Sequence, residues 1–225
     1  MGTFIPASSI MPLSLDSRNN IRQSIRASMR QQRRNLSPLK QKINANKLAK
    51  YLINMRLVKQ ASKIAVYLSN DGELDLSELI KAFWKANKTC YLPVLNKKLP
   101  GHLVFLPYNK NQKLINNRYK ILEPAYSYRN SKMAKQLDII LMPLVSFDKR
   151  GNRIGMGGGY YDRTLSFMRK TTKSQTANRK PALIGIAHSI QQVEQIPVEP
   201  WDIKLNMIVT DNKCFLSESL RENAD

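Results

Sequence analysis

Residues 143–163 read PLVSFDKRGNRIGMGGGYYDR, and no other stretch constrains the fold as strongly. They overlap the apolar run IILMPLV at 139–145, which has the length and composition of a buried central strand broken late by Pro143. A turn at 148–152 comes next, then glycines at 155, 157, 158 and 159, then a helix start. Glycines between a strand and a helix let backbone N–H groups approach an anion closely, and a helix N-terminus adds its positive end. Arg153 puts a cation at the loop's entrance. Asp162, just beyond it, is a hard oxygen ligand of the kind magnesium takes beside phosphates. The string is not a Walker A loop, because no Gly-Lys-Ser/Thr follows, and Tyr160 stands where a dinucleotide fingerprint needs its last glycine. A flexible surface turn with Asp162 as a helix cap competes with the phosphate reading, and glycine spacing alone leaves both open.

The rest of the chain alternates. Ile21, Ile25 and Met29 mark one helix face, with Arg22, Arg26, Arg30 and Arg33 on a neighbouring face. Ser37-Pro38 is the cap and first turn of a second helix, running to about Asn54. Strands are expected at 63–68, 89–95, 102–106, 182–187 and 206–210, helices at 76–86 and 161–170, and a polar loop at 170–180. Strands alternating with helices predict an α/β fold with a mostly parallel sheet. Residues 17–215 read as one domain, between a flexible leader (1–16) and a C-terminal tail (216–225). The first 35 residues are Ser- and Arg-rich and acid-poor; a frayed terminus is preferred over a mitochondrial presequence.

Charge sets the function classes. The net charge is +21, and from residue 17 to 70 there are 13 Lys and Arg and no acid, so an anionic partner is implied. With hydrophobic residues at 42%, a disordered chain is excluded. No run is long enough to span a bilayer. Cys90 and Cys214 stand alone, as do His102 and His188, which argues against zinc and against a disulfide framework. Asp138, Asp148 and His188 read as structural. A non-catalytic nucleic-acid-binding protein fits the charge, but no RNA-recognition motif, zinc finger or clear helix-turn-helix supports it.

The string D-x-x-G-x-R-x-G-x-G-x-G-Y-Y-D-R, from Asp148 to Arg163, resembles the signature of the 5-formyltetrahydrofolate cyclo-ligase family. Other parts agree in order: RQSIRASMRQQRRNLS (22–37) with the family's basic N-terminal helix, AVYLSNDGELDLSELI (65–80) with its first strand and turn, YKILEP (119–124) with its pre-signature loop, and IGIAHSIQQVEQIPVEPWDIKLNMIVTD (184–211) with its C-terminal strands. The resemblance implies a Rossmann-like three-layer α/β/α sandwich. It also implies an enzyme that uses Mg2+ and ATP, as co-substrate, to convert 5-formyltetrahydrofolate to 5,10-methenyltetrahydrofolate.

By position, the resemblance implies ATP contacts from Arg22, Gln23, Ser24, Ile25 and Arg26, and from Arg153, Ile154, Gly155, Met156, Gly157, Gly158, Gly159, Tyr160 and Tyr161. It implies folate contacts from Leu68, Glu73, Tyr119 and residues 156–160, magnesium on Asp162 and Asp202, and catalytic roles for Arg153 and Tyr160. Some members carry Lys where this chain has Gly158, and Met156 also varies. A cytoplasmic monomer is expected, whose basic surface attracts a polyglutamylated substrate, with no membrane and no obligate nucleic acid. Asp162→Ala is expected to abolish turnover and spare the fold.

Overall fold

The computed structural model describes residues 14–169 and 181–217. The loop expected at 170–180, residues 1–13 of the leader and residues 218–225 of the tail lie outside the described residues. In chain order the helices are α1 (Leu15–Arg34), α2 (Pro38–Asn54), α3 (Arg56–Gln60), α4 (Ser77–Lys85) and α5 (Tyr160–Thr164). The strands are β1 (Lys63–Ala65), β2 (Thr89–Leu95), β3 (Leu103–Tyr108), β4 (Leu114–Asn116), β5 (Leu122–Pro124), β6 (Ile139–Pro143), β7 (Ser146–Phe147), β8 (Arg153–Ile154), β9 (Ala182–Ile186), β10 (Met207–Val209) and β11 (Cys214–Leu216).

Seven strands form one sheet in the order β11-β10-β9-β6-β1-β2-β3. The five inner strands are parallel, and the edges β3 and β11 run antiparallel to their neighbours. This is the mostly parallel α/β fold that the alternation predicts. Side chains alternate between the two faces, as strand geometry requires. Ile64, Cys90, Ile139, Leu141, Ile184 and Ile186 point to the side covered by α2 and α4. Ala65, Tyr91, Ile140, Met142, Leu183 and Ile208 point to the other, which is covered mainly by α5 and short turns through Leu137, Leu165, Ile203 and Leu205. A strand buried on both faces must be apolar throughout, which is why IILMP stands out in the sequence.

The structure departs from the sequence reading in three places. The helix expected at 161–170 is a single α turn that gives way to a 3₁₀ turn, Ser166–Arg169. The expected strand 63–68 stops at Ala65, although the Val66 N–H still donates to the Tyr91 carbonyl at 2.8 Å. Residues 119–124, likened to a loop, belong to the hairpin β4–β5, whose tip places Lys120 at φ 59°. Asp148 is the turn residue it was taken for: buried, it accepts from the backbone N–H of Arg150, Asn152 and Ile196. Among the described residues, no helix is long and apolar enough to cross a membrane.

Candidate active site

α1 starts at Ser14, whose hydroxyl accepts from the Ser17 N–H at 3.2 Å, and carries Asp16 in its first turn, where a negative charge suits the helix. Its arginines do not face solvent as a stripe; they fasten the helix along its length. Arg18 binds Glu199 through Nε at 2.8 Å. Arg22 makes a two-pronged pair with Asp202, at 2.7 and 3.3 Å, and donates to the Pro197 carbonyl at 2.9 Å. Arg26 Nε reaches the Gly155 carbonyl at 2.9 Å, and its pKa is pushed down by burial and then by the neighbouring Arg22 charge. Ile25 and Met29, on the adjacent face, pack with Val145, Ile154 and Ile196 beside the β7–β8 hairpin. Gln23 and Ser24 lie on the exposed side of α1, outside this network.

The glycine loop leaves β8 at Arg153–Ile154. Arg153 is buried and donates through Nη2 to Asp162 Oδ1 at 2.7 Å and through Nη1 to the Ile203 carbonyl. The Ile203 N–H donates to the same Asp162 oxygen at 3.2 Å. Asp162 and Asp202 are therefore joined through one residue of backbone, and each is neutralised by its own arginine. Gly157 and Gly159 adopt φ 98° and 62°, a region that side chains rarely tolerate. A Cβ on Gly158 would stand 2.9 Å from the Tyr160 ring, so a lysine at this position would displace that ring. With only one α turn behind the loop, the helix dipole is slight, and charge complementarity rests on the arginines and loop amides.

Tyr160 stands at the loop's far edge. Its hydroxyl bonds Tyr119 Oη at 2.7 Å and accepts from Arg118, which brings the β4–β5 hairpin tip onto the loop. The two rings meet edge to face, 6.0 Å between centroids. The Tyr119 hydrogen bond, followed by Arg118, pulls the Tyr160 phenol's pKa down. Tyr161 turns inward and packs against the core, where burial raises its pKa. Met156 is exposed, and Leu68 is partly buried against the helical face of the sheet.

Glu73 sits in the turn after β1. Burial raises its carboxyl to about 7 against the pull of Arg33. Its charge acts on Tyr161, so this turn and α5 are electrostatic neighbours. His188, fully buried, accepts at Nδ1 from the Asn44 amide at 3.1 Å and donates through Nε2–H to the Gly72 carbonyl at 3.2 Å. That arrangement is neutral imidazole, and burial pushes its pKa below the ordinary 6.5. His188 thus contributes stability that is complete above pH 6.5 and is lost as pH falls below it. His188→Ala should cost about 2 kcal/mol, the usual penalty for an orphaned buried partner, and flatten this part of the acid limb in denaturant titrations at pH 5 to 7.5.

The structure brings together Arg22, Arg26, Arg153, the loop 155–159, Tyr160, Asp162, Asp202 and Tyr119. Three features escaped the sequence reading: the Arg18–Glu199 pair, Arg118, and the grip of Arg30, Arg33 and Arg34 on Asp71. The spacing of the arginines was visible, but which carboxylate each one meets depends on contacts of 37 to 181 residues in sequence separation.

Comparison with known proteins shows the family. The model of the 5-formyltetrahydrofolate cyclo-ligase family matches residues 18–211. The 5-formyltetrahydrofolate cyclo-ligase of Escherichia coli K12 is 42% identical over 187 residues, 83% of this chain and 98% of that protein. The Haemophilus influenzae protein of the same name is 40% identical, over 82% of this chain and 94% of its own length. Among solved structures, the NMR structure of Aquifex aeolicus 5,10-methenyltetrahydrofolate synthetase superposes with a TM-score of 0.73 at 26% identity, covering 88% of this chain and 93% of that one. Matched from α1 through β10, this chain belongs to the 5-formyltetrahydrofolate cyclo-ligase family.

Proposed function

We propose that the chain is an ATP-dependent 5-formyltetrahydrofolate cyclo-ligase, acting as a cytoplasmic monomer built from one domain. The observation that carries the proposal is the convergence of three arginines, a glycine loop and two carboxylates at one end of the parallel sheet, where open α/β folds bind ligands. In the reaction, the formyl oxygen attacks the γ-phosphorus and ADP leaves. N10 of the folate then attacks the activated carbon and gives up its proton, and the C–O bond breaks to release phosphate, which carries that proton away. Phosphoryl transfer of this kind needs alignment and charge neutralisation more than covalent help.

Arg22, Arg26 and Arg153 suit the phosphates, since a guanidinium can bind two oxygens at once. The loop amides of 155–159 add donors that need no reorganisation. Asp162 and Asp202 fit magnesium: both are hard oxygen donors, the Ile203 backbone links them, and magnesium takes one or two carboxylates beside phosphates. Bound there, magnesium would neutralise charge on the transferring phosphate. Asp162 and Asp202 are held meanwhile by Arg153 and Arg22, while Arg26 and Arg118 reach only neutral oxygens, of Gly155 and Tyr160, and so keep positive charge beside the loop. Glu73 would accept adjacent N–H donors of the pterin ring, and Tyr119 would cover the substrate. Tyr160, its oxygen accepting from Arg118 and bonded to the Tyr119 hydroxyl, would offer the substrate a hydrogen bond at the loop's edge. The remaining basic surface would steer a polyglutamate tail.

The nucleic-acid alternative loses part of its support here, because six of the 13 basic residues between 17 and 70, all on α1, are engaged by Glu199, Asp202, Gly155 and Asp71. The test is absorbance at the methenyltetrahydrofolate band with purified protein and 5-formyltetrahydrofolate. Product should appear only with ATP and magnesium together. No product under those conditions, with salt-sensitive binding to RNA instead, would overturn the proposal.

A further inference from the structure

The Arg33 side chain is 0% exposed, yet it does not reach the glycine loop. Its Nε donates to the Asp71 carbonyl at 2.7 Å, its Nη2 to Asp71 Oδ2 at 2.7 Å, and its Nη1 to the Leu144 carbonyl at 3.3 Å. One guanidinium thus ties α1, the turn 70–73 and the end of β6 together. The same Nη2 lies 3.9 Å from Glu73 Oε1. Glu73 Oε2 accepts from the Asn70 N–H at 3.1 Å, so the carboxylate is braced from its own turn as well. Gly72 presses on α1: a Cβ there would stand 3.1 Å from the Arg33 carbonyl oxygen, and φ is 76°. Arg30 and Arg34 take the outer sides of the Asp71 carboxylate.

We infer that Arg33 is a positioning residue for Glu73: it fixes the turn carrying that carboxylate against the strand that leads into the glycine loop. The inference rests on the reading that Glu73 meets the folate. The fork accounts for its being an arginine, since a lysine could hold Asp71 but not span three acceptors on two segments. Leu144 precedes Val145, whose N–H donates to the Ile154 carbonyl at 2.9 Å. The same side chain therefore sets the spacing between the folate carboxylate and the nucleotide loop, on which alignment of formyl oxygen and γ-phosphate depends.

The groups facing Glu73 are Arg30 and Arg33 from α1, Asp71 from its own turn, Tyr67 after β1 and Tyr161 from α5. Arg33 is the strongest of these in holding the carboxylate ionised. An Arg33→Met variant, checked for native circular dichroism, should raise the KM for 5-formyltetrahydrofolate about tenfold with the KM for ATP unchanged. The acid limb of kcat/KM for the folate should move to higher pH. Arg33→Lys should return that limb towards its original position while the folate KM stays raised, a split that a purely structural role would not produce. A folded Arg33→Met protein with the parent's folate KM and pH limb overturns the inference. If Arg33→Met does not fold, Asp71→Asn decides: it keeps the left-handed turn accessible and weakens the grip, so the folate KM should again rise, and an unchanged value sinks the idea. A parent protein that forms no product at all is a different failure, that of the proposed function, and Glu73→Gln with an unchanged folate KM would be the failure of the reading of Glu73.

Discussion

Asp162→Asn should lower kcat/KM by about a thousandfold, the factor that roughly 4 kcal/mol of lost transition-state stabilisation implies, while the protein stays folded. The amide oxygen can still accept from Arg153 and from the Ile203 N–H, the two bonds Asp162 Oδ1 makes. What disappears is the negative charge. Asp162→Ala is a different experiment. The Arg153 side chain is only 7% exposed, and stripping a buried cation of its partner costs about 3 kcal/mol or more. The Arg153 pair thus changes the expectation from sequence: alanine should lower stability as well as abolish turnover. Thermal midpoints should therefore rank parent, then Asn, then Ala, whereas activity should be lost in both variants. An Asp162→Asn enzyme keeping more than about a tenth of parental activity would reduce Asp162 to a partner for Arg153.

How far the site was legible depended on what each residue does locally. The glycine loop, Arg153 and Asp162 lie within ten residues of one another, and their spacing between a strand and a helix left an anion site and a plain surface turn both open until the longer signature string was read. α2 was legible to the residue at its start, because Ser37 caps and Pro38 begins it, and both effects are local. α5 was misread as longer because YYDRTLSFMRK has helical periodicity, yet Leu165, Phe167 and Met168 are taken by the underside of the sheet. Tertiary packing overrode propensity there. The arginines of α1 were the least legible. Their period of four is the same whether they face water, phosphate or carboxylate. Only the fold reveals that Arg22 meets Asp202 while Arg33 meets Asp71.

Glu73→Gln should give the second large effect, with opposite signs for binding and stability. A carboxylate that accepts two N–H donors of one ring makes a charge-assisted pair; the amide offers one acceptor and one misdirected donor. The KM for 5-formyltetrahydrofolate should rise by roughly 10- to 100-fold, as the loss of about 1.5 to 3 kcal/mol implies. Stability without substrate should move the other way. Burial raises the Glu73 carboxyl from 4.5 to about 7, so the folded state holds its proton more tightly than the unfolded chain does. Its contribution to stability is therefore complete below pH 4.5 and is lost as pH rises towards 7. The glutamine variant, which cannot ionise, escapes that loss: relative to the parent it should gain stability between pH 4.5 and 7 and keep the gain at pH 8. His188 and Asp71 titrate in both proteins, so the difference between two denaturant series isolates Glu73. Parallel pH profiles with an unchanged folate KM would place the carboxylate outside the binding site. Divergent profiles with a raised KM would identify a buried acid kept at a stability cost because the substrate needs its charge.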